Sequence, residues 1–101
     1  MHKLTVGNAV AALHGSDFAR FLERPEFDVS LYRPGKVDPQ TPHKRDELYV
    51  IASGRGDFFC DGETEPFAAG DVFFVPAGVE HRFRNFSSDF TTWVIFLGKR
   101  P

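Results

Sequence analysis

Three side chains stand out for the chemistry they can do: His43, Glu47 and His81. Imidazole and carboxylate together suit first-row divalent metals. Two histidines and one carboxylate on adjacent strands would form a facial set that leaves coordination positions open to water or a substrate. Gln40 offers an amide oxygen as a fourth ligand if Pro42 kinks the chain, and Thr41 offers a hydroxyl that can hold a water on the metal. The expected role of both is scaffolding, with the ligand role as the alternative. Alternation along extended chain puts Glu47 and Tyr49 on one face, and His81 and Phe83 on one face of their own strand. Tyr49, Phe83 and Trp93 are therefore candidates to line an apolar pocket around the metal, although core packing is the expected role of Phe83 and Trp93. Asp46, Arg82 and Arg84 fall on the opposite faces and are expected at the surface, as are His2 and His14.

Such a cluster has to be held by strands. Phe27–Tyr32 alternates with period two before the Pro34-Gly35 turn, and Leu48–Ile51, Asp57–Cys60, Val72–Val75, His81–Phe86 and Thr91–Leu97 follow as further short strands between turn formers. Asp61-Gly62 is the dipeptide of a two-residue hairpin. Twelve of the fifteen aromatic residues are Phe, which suits the interior of a β-sandwich or barrel. Short strands with turn signals every ten or so residues predict an all-β sandwich or barrel. Before the strands, residues 1–26 are expected to be weakly helical. Asn8 would cap a helix running to about Glu23, with Phe18, Phe21 and Leu22 on one helical face, a split at Gly15-Ser16 and a stop at Pro25.

Two spacings then become specific. Gly35, Thr41, His43, Glu47 and Gly54 resemble the first cupin signature, G-x5-H-x-H-x3-E-x6-G, except that Thr41 stands where the first histidine belongs. Gly70, Pro76, Gly78, His81 and Asn85 resemble the second, G-x5-P-x-G-x2-H-x3-N, without departure. The resemblance covers residues 27–97. It implies a single small cupin, a jelly-roll barrel (double-stranded β-helix) preceded by the short N-terminal helical segment, with one divalent metal (Fe, Zn, Mn or Ni) held by His43, Glu47 and His81.

Length and charge narrow the rest. A chain of 101 residues is one domain, large enough to bury a core without a structural metal. Twelve basic against fourteen acidic residues, with no basic run, argue against nucleic-acid binding. The apolar run Ala9–Leu13 is too short for a membrane span or a signal-peptide core, and the single cysteine, Cys60, excludes an internal disulfide. A cytoplasmic protein is expected, with Cys60 as a small apolar filler. Strands apolar on both faces, Val72–Val75 and Trp93–Leu97, need a cover outside the barrel, from the N-terminal segment or from a second copy of the chain, so a homodimer is expected. The leading functional expectation is a metal-dependent cupin acting on a small molecule, as a mononuclear non-haem iron dioxygenase. The alternatives are a zinc or manganese Lewis-acid isomerase or lyase and a non-catalytic small-ligand-binding barrel.

Overall fold

The computed structural model describes residues 1–99. One helix, α1 (Val6–Ala12), is followed by eight strands: β1 (Phe18–Glu23), β2 (Phe27–Tyr32), β3 (Glu47–Ser53), β4 (Arg55–Cys60), β5 (Glu63–Ala68), β6 (Val72–Val75), β7 (His81–Arg84) and β8 (Thr91–Leu97). They form two antiparallel sheets, ordered β1-β2-β8-β3-β6 and β5-β4-β7. The all-β barrel expected from the sequence is thus present, with one short helix.

Local chemistry explains the turns. Asp61 and Gly62 both take positive φ, 50° and 84°, and Cys60 pairs with Glu63, so β4 and β5 are joined by a two-residue hairpin that needs this left-handed geometry. Gly54 separates β3 from β4 at φ 83°, and a Cβ there would meet the Phe90 Cα at 2.6 Å. Only glycine fits that crossing. Pro66 is tolerated within β5 because β5 is an edge strand.

The N-terminal expectation is corrected. The helix is capped by Thr5, whose hydroxyl accepts from the Asn8 amide, so Asn8 lies inside the first turn. It ends at Ala12, and His14 and Gly15 turn the chain with φ 50° and 84°. Phe18–Glu23 is then a strand paired with β2, not the second half of a helix. Tertiary pairing overrides the three- and four-residue apolar spacing of Phe18, Phe21 and Leu22, which does not separate a helix from an edge strand.

Between the sheets lies a core of buried aromatics in which Tyr49, Phe58, Phe67, Phe83 and Phe90 pack with Ile51, Val75 and Val94. Neighbouring rings meet edge-on or tilted, as in Tyr49–Phe83 at 4.8 Å and Phe83–Phe90 at 4.8 Å. The outer face of the large sheet carries two apolar rows that the registers define: Leu31-Trp93-Val50-Val72 and Val29-Ile95-Leu48-Phe74. Helix α1 covers one end, where Ala9 and Leu13 pack with Leu31 and Trp93. Val72 and Phe74, 58% and 54% exposed, are left uncovered at the other. The N-terminal segment therefore supplies part of the cover that the two-faced strands require.

Candidate metal centre

His43, Glu47 and His81 converge, with one donor atom from each lying within 4.8 Å of the others. They arrive by three routes. Glu47 opens β3 and points between the sheets, fully buried. His81 opens β7 on the opposite sheet, so the two are brought together across the barrel, not on adjacent strands as the sequence suggested. His43 comes from the irregular segment before β3, which is tied down where the Gly78 amide donates to the His43 carbonyl at 2.7 Å and the Leu97 amide to the Asp46 carbonyl at 2.9 Å. Asp46 is exposed as expected, but its carboxylate also accepts from the Ala77 amide at 2.8 Å, bracing the turn that leads to His81.

Oε1 of Glu47 lies 3.0 Å from Nε2 of His81 and 3.6 Å from Nε2 of His43. Neither oxygen of Glu47, nor Nε2 of His81, has an aligned hydrogen-bond partner, although all three atoms are buried. Oε1 can pair with His81 only when that imidazole is protonated, and Oε2 has no aligned partner, so a cation shared with the imidazoles would satisfy the buried carboxylate more fully. Metal–ligand bonds of about 2.1 Å imply separations of about 3.0 Å between neighbouring octahedral donors and about 3.4 Å between tetrahedral ones, so both separations from Glu47 suit a shared divalent ion, and the third pair lies within 4.8 Å. The other nitrogen of His81, Nδ1, donates to the Val79 carbonyl at 2.9 Å, which fixes the tautomer that turns a bare Nε2 toward Glu47 when the ring is neutral. Burial opposes charge on His81, but the Glu47 carboxylate and the Val79 carbonyl outweigh it and raise its pKa. Burial dominates at His43 and lowers its pKa.

Of the other candidates, Gln40 reaches the cluster and Thr41 is exposed to solvent. Oε1 of Gln40 lies 3.1 Å from Nε2 of His43 and accepts from the Tyr49 hydroxyl at 2.8 Å. Tyr49 stands beside His81, ring centroids 6.0 Å apart, and its phenol is pushed well above the ordinary range by burial and by the Glu47 carboxylate. Phe83 is a core residue one ring further from the site. Trp93 is a correction: it packs on the outer face under α1, because β8 turns Val94 and Phe96 inward. The aromatic partner of the site from β8 is Phe96, edge-on to His43 at 5.2 Å, and its alternation with Trp93 was the available signal. Asp38, also missed, is buried beneath Gln40, where no motif marked it.

An open cleft of about 290 Å³ is lined by Phe58, Phe73 and Phe74 with Asp61, Glu63 and Glu65, and none of His43, Glu47 and His81 lines it. Phe58 also stands 6.4 Å from the His81 ring and 4.6 Å from Phe73, linking cleft and cluster. Cys60 lines this cleft half-buried, and burial together with Asp61 raises its thiol pKa, which leaves it a poor nucleophile.

Two antiparallel sheets closed over an aromatic interior, with a His-Glu-His cluster at one end, define a small jelly-roll barrel equipped to hold a metal. The chain belongs to the cupin domain family (Cupin_2), whose family model matches residues 29–96. It is 38% identical over 90 residues to an uncharacterized protein of Streptomyces coelicolor, covering 87% of this chain and 86% of that protein. It is 31% identical over 70 residues to the polyketide synthase CurC of Streptomyces cyaneus, covering 68% of this chain and 46% of that protein. Among solved structures, a Cupin 2 conserved barrel domain protein from Salinispora arenicola superposes with a TM-score of 0.66 at 26% identity, over 79% of this chain and 73% of that one. No helix among the described residues is long and apolar enough to cross a membrane.

Proposed function

We propose that this cupin holds one divalent metal on His43, Glu47 and His81 and acts on a small chelating molecule as a mononuclear iron dioxygenase. The observation that carries the metal is the buried Glu47 carboxylate, both of whose oxygens lack an aligned hydrogen bond beside two imidazole nitrogens. Iron(II) held by two histidines and a carboxylate supplies open positions at which a bidentate substrate and dioxygen can meet. The chain does the rest. Phe96, Phe58 and Phe73 surround the cluster and its cleft with apolar surface that limits water, and Tyr49 keeps its proton and offers only a hydrogen bond.

Oxygen chemistry is favoured over isomerisation because proton shuttling needs a base that titrates near neutrality. Apart from the candidate ligands, the polar groups described at the cluster are a raised phenol, an amide and the Asp38 carboxylate, which is occupied by four hydrogen bonds. The relative named as a polyketide synthase supports a substrate with neighbouring ketone or phenol oxygens, which would chelate through two atoms. We further infer a homodimer formed through the outer face at Val72 and Phe74, in the cytoplasm, where a lone thiol stays reduced.

The test is oxygen uptake by the iron(II)-loaded protein across thiols, 1,3-diketones and catechols. Uptake matched to loss of a diketone or catechol, and absent in Glu47→Ala, is the expected result. No turnover of any member by a fully iron-loaded protein would contradict it.

A further inference from the structure

We propose that Gln40 is the fourth protein ligand of this metal, replacing the histidine that Thr41 lacks, and that Asp38 is the residue that aims it. This inference rests on the metal site proposed above and adds to it a donor outside the three-residue cluster. Asp38 is buried, 1% exposed, and a carboxylate can only accept hydrogen bonds. Its Oδ1 accepts from the Tyr32 hydroxyl at 2.6 Å and the Gln40 amide nitrogen of the main chain at 3.2 Å. Its Oδ2 accepts from the Phe83 backbone at 2.9 Å and from Nε2 of the Gln40 side chain at 2.8 Å.

That last bond decides which way the Gln40 amide faces. A flipped amide would set Oε1 against the carboxylate oxygen and lose the bond from Tyr49, so the network fixes Nε2 toward Asp38 and Oε1 toward the cluster. Oε1 has two lone pairs. The Tyr49 hydroxyl, at 2.8 Å, takes one, and the other faces Nε2 of His43 at 3.1 Å. The separations along the chain of donors, 3.1 Å from Gln40 to His43, 3.6 Å from His43 to Glu47 and 3.0 Å from Glu47 to His81, all lie near those expected between donors about 2.1 Å from one ion. Asp38 is also anchored to β2 through Tyr32 and to β7 through Phe83, two residues beyond His81. One of the two strands that support Gln40, β7, therefore also carries His81 of the cluster.

Cobalt(II) is the probe, because its visible absorption reports the donor set and coordination number without any need for turnover. The untagged protein and its Gln40→Ala, Asp38→Asn, Thr41→Ala and His43→Ala variants are titrated with cobalt, and their folds are compared by circular dichroism and melting temperature. Gln40→Ala, at a half-buried position, is expected to fold, to bind cobalt at least about tenfold more weakly and to change the band positions and intensities. Asp38→Asn, where folded, is expected to weaken binding in the same direction and to shift the spectrum toward that of Gln40→Ala. Thr41→Ala should match the wild type, and His43→Ala should lose binding.

An unchanged spectrum and affinity in Gln40→Ala, with binding lost in His43→Ala, would overturn the Gln40 assignment and leave the three-residue site standing. A wild type that binds no cobalt would overturn the site itself. A spectral change in Thr41→Ala would mean that Thr41, and not Gln40, occupies the fourth place. If Asp38→Asn does not fold, the Gln40→Ala comparison alone decides.

Discussion

Glu47 and His81 face each other from opposite sheets, with Oε1 and Nε2 3.0 Å apart, both buried and neither aligned for a hydrogen bond. Such a pair is a poor stabiliser of a metal-free fold and a good half of a metal site.

Metal should stabilise the folded chain. At a hundredfold excess over its Kd, a ligand that binds only the folded state adds about 2.7 kcal/mol, which for a domain of this size raises Tm on the order of 10 °C. Zinc or manganese is expected to do this for the wild type and not for Glu47→Gln. Equal shifts in both proteins would show that the added ion binds elsewhere.

Both tyrosines of the chain, Tyr32 and Tyr49, have raised pKa values. Burial is the first cause in each, joined by Asp38 at Tyr32 and by Glu47 at Tyr49. A phenol whose folded pKa lies above its unfolded value of about 10 contributes stability that is full below that pH and is lost as pH rises toward the folded value. Phenolate absorbance is therefore expected only together with alkaline unfolding. A tyrosine that titrates near pH 10 while circular dichroism stays native would contradict this environment.

Gly54→Ala should be strongly destabilising. The residue would need φ near 83° and would press its Cβ against the Phe90 backbone. Left-handed geometry and the backbone clash together suggest a cost of about 2–4 kcal/mol, measurable by urea unfolding. A loss smaller than about 1 kcal/mol would mean the β3–β4 turn can move away from Phe90.

Arg45 ties three parts of the barrel together. It donates to the buried Asp28 at 2.8 Å and to the Gly98 carbonyl at 2.6 Å, while its guanidinium lies 5.5 Å from the Phe96 ring. Arg45→Ala removes the cation 2.8 Å from a buried carboxylate that Arg20 also approaches at 3.6 Å. A loss of about 2–3 kcal/mol in urea unfolding is expected. Wild-type stability in the variant would show that the other partners of Asp28 suffice.

The exposed Val72 and Phe74 give the dimer a direct test. Light scattering at micromolar concentration should return twice the 11.4 kDa chain mass, and Phe74→Glu should reduce it to one. A monomeric wild type would dismiss the dimer.

Much of this is legible in the sequence. The Asp61-Gly62 hairpin and the turn glycines depend on local backbone chemistry, and the sequence states them directly; His43, Glu47 and His81 are grouped through the resemblance to the two cupin signatures, because Glu47 and His81 meet only across the barrel. Phe18–Glu23 was misread because its apolar spacing suits a helix, while its strand state depends on pairing with β2, a long-range contact. Trp93 is a candidate for the pocket in the sequence because alternation alone does not say which face is inside. The cover provided by α1 decides that. Asp38 and Arg45 were invisible for a related reason: each does its work through partners far along the chain, Phe83 and Gly98 among them, and charged residues in a loop carry no sign of burial.

The most direct measurement is the metal content of untagged protein by mass spectrometry, beside His43→Ala and His81→Ala. About one equivalent of a divalent transition metal per chain, lost in both variants, is the expected result. No metal in the wild type, even after anaerobic loading with iron(II), would contradict the proposed site and every reaction drawn from it.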